Sequence, residues 1–194
     1  VYDGVIEIGA NVGVFTVFFA KLFASLKPNI QIFAFEPSFE AFFRLQQNIR
    51  SNAATNVHLF NCAIGEQTGF TQFHEPEGHL TNGSLLPEFA SIFSANVRAR
   101  EVLLINGEML TQLVKDCLRP LVKIDVEGAE RIVLESMKQF ILEKKPDIVL
   151  EVLGFTEEDL NGLTFLLETY DLFNITLEGL IKHTEFKATE HRDY

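Results

Sequence analysis

The sequence predicts an α/β fold in which a mostly parallel sheet is covered by helices on both faces. Three observations predict it. Short apolar segments alternate with helical ones along most of the 194 residues, the pattern of crossover units in a parallel sheet. The first segment runs straight into a glycine turn that opens a helix, Val5-Ile6-Glu7-Ile8-Gly9-Ala10-Asn11-Val12-Gly13-Val14-Phe15-Thr16. Polar residues then close the apolar segments: Glu7 to Gly13, Glu36, Asn61 to Ala63, Asp125 to Glu127 and Glu151. Parallel strands would gather these on one rim, where ligands of such sheets bind.

Each element follows in order. Val5, Ile6 and Ile8 read as a buried strand, and Gly9 and Gly13 bracket a tight bend. Val12 to Leu26 is apolar almost all round, with Lys21 its one charge. That predicts a helix buried between the sheet and a further layer. Lys27-Pro28-Asn29 is a turn, and Ile30 to Phe35 a second strand closed by Glu36-Pro37-Ser38. The second helix spans Ser38 to Arg50, with Phe39, Phe42, Phe43, Leu45 and Ile49 inward. Val57 to Asn61 is a third strand, and Cys62-Ala63-Ile64-Gly65 is a small-residue corner suited to lie flat against a planar ring. Phe70 to His74 is a further strand. Glu75 to Asn96, punctuated by Pro76, Gly78, Gly83 and Pro87, reads either as a lid carrying His79, Asn82 and Ser84 or as a solvated connector,. Val102 to Ile105 is a strand and Glu108 to Leu118 a helix.

Leu121 to Val126 is the fourth core strand, followed by a helix to about Glu143. Asp125, Glu127 and Glu130 cluster at that junction, and alternation puts Lys123 on the face of Asp125. The helix macrodipole accounts for Glu127 and Glu130. It does not account for Asp125 at the end of a buried strand, where a carboxylate is costly without a partner. Pro146 to Leu153 is the fifth strand. Thr156 to Tyr170 reads as one helix, with Thr156 and Asp159 as a capping-box-like pair and Phe155 stapling to Leu160,. Phe173 to Leu177 is a late strand, and the polar tail from Lys182 to Tyr194 is expected to fray. No repeat or linker interrupts residues 1–194, which predicts a single domain.

Composition narrows the function. The formal net charge is −11 with no Lys or Arg cluster, which argues against nucleic acid or an anionic membrane as main partner. The longest apolar run is too short for membrane insertion. Cys62 and Cys117 lack metal-ligand spacing and read as reduced buried thiols of a cytoplasmic protein. The chain enters its first strand almost at Val1, so a native beginning, with any targeting segment, is expected to precede it.

At the glycine turn, the dinucleotide fingerprint would need glycine where Asn11 and Val14 stand, and the phosphate-loop ending is missing,. This disfavours a nicotinamide oxidoreductase and leaves either a nucleoside cradle or an ordinary strand-to-helix turn. Glu36 stands where a ribose-binding carboxylate sits in nucleoside-binding α/β folds, and its two oxygens can accept from vicinal hydroxyls. The bland alternative leaves it facing solvent. Asp125, Glu127 and Glu130 are also hard oxygen ligands of the kind that bind Mg²⁺ or Ca²⁺.

Taken together, these residues resemble the FkbM-type family of S-adenosylmethionine-dependent methyltransferases. The matching segments are Glu7 to Gly13, Phe35-Glu36-Pro37-Ser38 with Asn48, Asn61 to Gly65, Lys123 to Glu130, and Pro146 to Glu151. The resemblance implies a class I methyltransferase (Rossmann-like) fold, a mostly parallel seven-stranded sheet with one antiparallel edge hairpin. It implies S-adenosylmethionine as cofactor, with Gly9, Ala10, Asn11 and Gly13 at its amino-acid end and Glu36, with Pro37 and Ser38, at its ribose. It further implies Asn61, Cys62 and Ala63 beside the adenine, and Glu7 supporting the turn or reaching the methionyl ammonium through water. Asn82-Gly83-Ser84-Leu85 is similar to the family's small-polar loop near the substrate. Asp125, which also borders the cofactor, and Glu127 are the candidates for general base or acceptor orientation. The implied reaction is O-methylation of a sugar, glycan or secondary metabolite. The rivals are a fragment that binds cofactor without catalysis and a metal-assisted O-methyltransferase. Family members often carry an acid other than Glu at position 7, and the N-terminal segment that usually helps cover their active site is expected to lie outside this sequence. The acceptor and the oligomeric state are not specified by the sequence.

Overall fold

The computed structural model describes residues 2–27 and 29–194. Val1 and Pro28, and with Pro28 the expected turn at Lys27-Pro28-Asn29, lie outside the described residues. The chain begins β1 (Gly4–Ile8), α1 (Val14–Leu26), β2 (Gln31–Phe35), α2 (Phe39–Ser51) and β3 (Val57–Phe60). An excursion follows through β4 (Ala63–Ile64), β5 (Gly69–Pro76), α3 (Pro87–Phe93) and β6 (Val97–Ile105). The second half runs α4 (Gly107–Leu113), β7 (Pro120–Ile124), α5 (Glu130–Ser136), α6 (Lys138–Lys144) and β8 (Asp147–Leu150). It closes with α7 (Glu157–Asn161), α8 (Thr164–Thr169), β9 (Leu172–Thr176) and β10 (Gly179–His183).

The central sheet has the order β3-β2-β1-β7-β8, all parallel. Strand order therefore reverses between β1 and β7, the switch point at which such sheets open a crevice. Side-chain alternation divides the core between two faces. Ile6, Ile8, Phe33, Phe35, Val122 and Ile124 join Leu110, Val133, Leu134 and Phe140 of α4 to α6 on one face. Val5, Ile32 and Ala34 meet Ala20, Leu45 and Ile49 of α1 and α2 on the other.

Several expectations are corrected. Among the described residues the central sheet has five strands, not seven. Beyond β8, Leu150 and Tyr194 exchange backbone bonds of 2.9 Å each, the Val152 N–H donates to the Arg192 carbonyl at 2.8 Å, and the Ile175 N–H to the Asp193 carbonyl at 2.8 Å. Residues 192–194 thus wedge between β8 and the β9–β10 hairpin, a bridge too short to carry the ladder across. The tail does not fray there: Phe186 and Tyr194 are buried in the main core. Polar composition misleads because two aromatic anchors suffice to dock a segment. We expect Tyr194→Ala to destabilise the fold by about 3 kcal/mol, read as a Tm drop of about 6–12 °C. An unchanged melt would show the tail to be dispensable.

The long excursion is more ordered than expected, since β5 and β6 pair along eight residues of β5 and α3 sits between them in sequence. The helix after Asp125 breaks at Met137, and the one after Phe155 at Gly162. Thr156 makes no capping box, because its hydroxyl is engaged with the Leu153 N–H and carbonyl. α1 is not sandwiched: Val14, Phe15 and Phe18 are exposed, and only Thr16 and Ala20 are buried. Phe39 and Phe43, expected inward, are 70% and 52% exposed, because the sheet has room only for the Ala41, Leu45 and Ile49 stripe of α2. No described helix is long and apolar enough to cross a membrane. Both cysteines are free and buried, with thiols pushed up by burial to about 12 for Cys62 and about 11 for Cys117.

Candidate active site

At the switch point β1 gives way to Gly9, whose N–H, like that of Ala10, donates to the Phe35 carbonyl at 3.0 Å. Gly9 has φ +85°, and a Cβ there would lie 1.7 Å from the Asp125 carbonyl oxygen. Only glycine lets the ends of β1 and β7 approach this closely. Asn11 follows in the left-handed region at φ 50°, with its side-chain oxygen accepting from the Val12 N–H at 2.7 Å. Glu127, across the crevice, is left-handed too, at φ 55°. Strained backbone of this kind is held only where surrounding structure enforces it, and it concentrates at functional sites.

Glu36 closes β2 with its carboxylate almost fully buried. One oxygen accepts the Asn11 N–H at 2.7 Å and the other the Ser38 N–H at 2.8 Å. Burial pushes its pKa up to about 7 against those two bonds. Each oxygen retains a further lone pair. Together with Gly9, Asn11 and Glu36, the cleft wall takes in Pro37, Ser38, Cys62, Ala63, Asp125 and Glu127. The cavity measures about 250 Å³, near the lower end of small-molecule sites.

The structure places the remaining predicted residues behind this wall. Glu7 is buried under α1, where it accepts the Thr16 hydroxyl at 2.6 Å. Ala10 is packed against Ala34 and Leu45, and Gly13 caps α1 in the left-handed region. Asn61 donates to the Glu36 and Pro37 carbonyls at 2.7 and 3.1 Å, tying down the loop that carries Glu36. Asp125 is paired with Lys123 at 2.8 Å, and Lys123 lies over the Phe15 ring at 4.7 Å. Glu130 turns away from the cleft to accept the Val126 and Gly128 N–H groups at 3.3 and 3.1 Å. Among the described residues no group of three His, Cys, Asp or Glu is placed to hold a metal ion.

The loop after β5 covers the cleft through Leu80, Thr81, Gly83 and Leu85, with Phe73 of β5 beneath. Sequence reasoning singled out its neighbours His79, Asn82 and Ser84 instead. Ser84 is structural: it exchanges backbone bonds with His74 and its hydroxyl donates to the Glu127 carbonyl at 2.8 Å. His79 is exposed and contacts Phe93, and Asn82 faces a second cavity. Proline and glycine spacing left this segment open between a lid and a solvated connector, and did not show which of its apolar side chains face inward.

A family model described as "Methyltransferase FkbM domain" matches residues 7–174, most of the chain and every element around the cleft. The protein belongs to the FkbM methyltransferase family. No curated protein matches the chain. Among solved structures it is similar to precorrin-6y C5,15-methyltransferase from Geobacter metallireducens GS-15, with 15% identity, TM-score 0.46, and coverage of 93% of this chain and 75% of that one. It is also similar to SMU.1697c from Streptococcus mutans in complex with SAH, with 10% identity, TM-score 0.49, and coverage of 90% and 80%. The family assignment rests on the domain match.

The cofactor of an FkbM methyltransferase is S-adenosylmethionine, and the cleft suits it. The buried Glu36 carboxylate, with lone pairs beyond those taken by the Asn11 and Ser38 N–H groups, offers the kind of acceptor that vicinal hydroxyls need,. The cleft wall at Cys62 and Ala63 continues with the apolar Phe35 and Ile64.

Burial also makes this site pH-sensitive. It pushes Glu7, Glu36 and Glu130 up to about 7, and Glu127 to about 8, from an ordinary value of 4.5. Between about pH 4.5 and 7 the fold holds protons that the unfolded chain has released, so stability falls as pH rises through this window. We expect the ligand-free protein to melt several degrees higher at about pH 5.5 than at about pH 8. Calorimetry showing the reverse slope would mean these carboxyls ionise freely in the fold.

Proposed function

We propose that this FkbM methyltransferase moves a methyl group from S-adenosylmethionine to a hydroxyl oxygen of a sugar, glycan or secondary metabolite. One observation carries the O-directed reading. At the end of β7 the cleft ends in Glu127, whose carboxylate has no hydrogen-bond partner among the described residues. Its pKa is pushed up to about 8 by burial first and then by the charges of Asp125, Glu151 and Glu130. A carboxylate poised near neutral pH is suited to take a proton from an acceptor hydroxyl.

When bound, S-adenosylmethionine supplies a methyl on a sulfonium, whose carbon–sulfur electron pair stays on sulfur as the carbon–oxygen bond forms. The chain does the rest. Glu36 holds the ribose end and Gly9 with Asn11 shapes the turn. The 80–85 segment excludes water, and Glu127 accepts the hydroxyl proton. Asp125, neutralised by Lys123, orients the acceptor. Holding both reactants aligned can be worth effective molarities of about 10⁵–10⁸ M.

The test is an incubation with labelled S-adenosylmethionine and a panel of alcohols, sugars and amines, with products read by mass spectrometry. Methyl ethers as the dominant products support the reading. Methylamines would overturn its O-directed part, and no binding of S-adenosylhomocysteine would overturn the whole. Binding of the cofactor product with no transfer to any acceptor would leave a cofactor-binding fragment.

A further inference from the structure

Glu127 lines two cavities. Besides the cofactor cleft, it borders a second hollow of about 410 Å³ between α3, the segment after β8 and the C-terminal tail. One wall is aromatic: Phe89 and Phe93 of α3 lie 5.1 Å apart by ring centroids, and Phe155 lies 5.6 Å from Phe89. The other wall is polar, with Asn82, Glu151, Thr189 and Arg192. The two walls meet at the Glu127-Gly128 turn. Gly128 has φ +96°, and a Cβ there would strike the Phe155 ring at 2.9 Å, so the ring packs directly on the turn that aims Glu127.

We propose that this second cavity is the acceptor site, and that it takes an uncharged hydroxyl compound with an apolar face about one ring wide. The proposal rests on the methyl-transfer reading above. The phenylalanine wall receives the apolar face, with aromatic contacts favouring ring-sized groups. The opposite wall offers donors and acceptors to hydroxyls. Arg192 does not make the site anion-seeking, because it faces Glu151 at 3.6 Å. In its ionised, proton-accepting form Glu127 is an unpartnered negative charge where the cavities join, and it disfavours an acidic acceptor. The reacting hydroxyl sits where the cavities join, its oxygen toward the cofactor cleft and its proton toward Glu127.

The test uses the full chain saturated with S-adenosylhomocysteine and two probes, phenyl β-D-glucopyranoside and its anionic counterpart phenyl β-D-glucuronide. Saturation-transfer NMR reads binding directly, so no turnover is needed. Ile92 lines the cavity and is 67% exposed, so Ile92→Trp fills the hollow from the surface without disturbing the core. The expected result is a glucoside signal in the wild type, a weaker glucuronide signal, and about tenfold weaker glucoside binding in Ile92→Trp, a change of about 1.4 kcal/mol. Calorimetric affinity for S-adenosylhomocysteine is expected unchanged in that variant. The proposal is overturned if the cofactor-loaded wild type gives no glucoside signal, if the signal survives the tryptophan, or if the glucuronide binds as well. Failure of S-adenosylhomocysteine to bind the wild type would instead bring down the methyl-transfer reading itself.

Discussion

Glu127→Gln is expected to lower kcat by about 10²–10⁴-fold while affinity for S-adenosylhomocysteine stays within about twofold. The amide keeps the shape and the left-handed turn, and it removes only the group that can accept a proton. The turn itself is held by the backbone, through the bond from the Ser84 hydroxyl to the Glu127 carbonyl at 2.8 Å, so the fold survives. The pH profile gives an independent readout. In the wild type kcat rises with pH through about 8, where Glu127 ionises; in the variant that limb is flat. Single-turnover transfer at several pH values measures both. A kcat within about threefold of the wild type, or an unchanged limb, would remove Glu127 from the chemistry and leave Asp125 as the candidate, to be tested as Asp125→Asn.

Glu36→Gln is expected to weaken S-adenosylhomocysteine binding by about 10²-fold. The wild-type carboxylate receives two backbone N–H groups, from Asn11 and Ser38, and keeps lone pairs for two hydroxyls. Glutamine replaces one acceptor oxygen with a donor NH₂, which faces a backbone N–H or a ribose hydroxyl with the wrong polarity. Hydrogen bonds to a charged group are each worth about 1.5–3 kcal/mol, so losing the better half of this set gives the stated loss. Since Glu36 is nearly fully buried with a pKa near 7, the neutral side chain is tolerated by the fold, and the melt of the ligand-free variant is expected within a few degrees of the wild type. Calorimetric titration decides it. Wild-type affinity in the variant would mean that the ribose does not reach Glu36.

The parts of this molecule that were legible in sequence share one property: they are local or periodic. The Gly9 turn, the buried strand through Val5, Ile6 and Ile8, and the acids that close β2, β7 and β8 all follow from spacing and residue type. So does the shared face of Lys123 and Asp125, which form an ion pair. The errors came where composition stood in for contact. The apolar run of α1 read as buried on all sides, yet Phe15 and Phe18 are exposed, because periodicity cannot say whether a further layer exists to cover it. The tail read as frayed, yet Phe186 and Tyr194 anchor it in the core.

By itself, the sequence determined the α/β class, the strand-to-helix turn at Gly9 and the rim on which Glu36, Asp125 and Glu127 meet. Side-chain period and parallel topology leave little freedom there, and the family match over residues 7–174 agrees. Only the tertiary structure decided that the loop at 80–85 closes the cleft, that Asn61 braces the Glu36 loop rather than lining the cavity, and that Glu127 opens onto a second, aromatic-walled hollow. Those outcomes depend on side chains from distant elements, Phe89, Phe155 and Arg192 among them, meeting across space. No local preference encodes such a meeting, because its free energy exists only once the chain has packed.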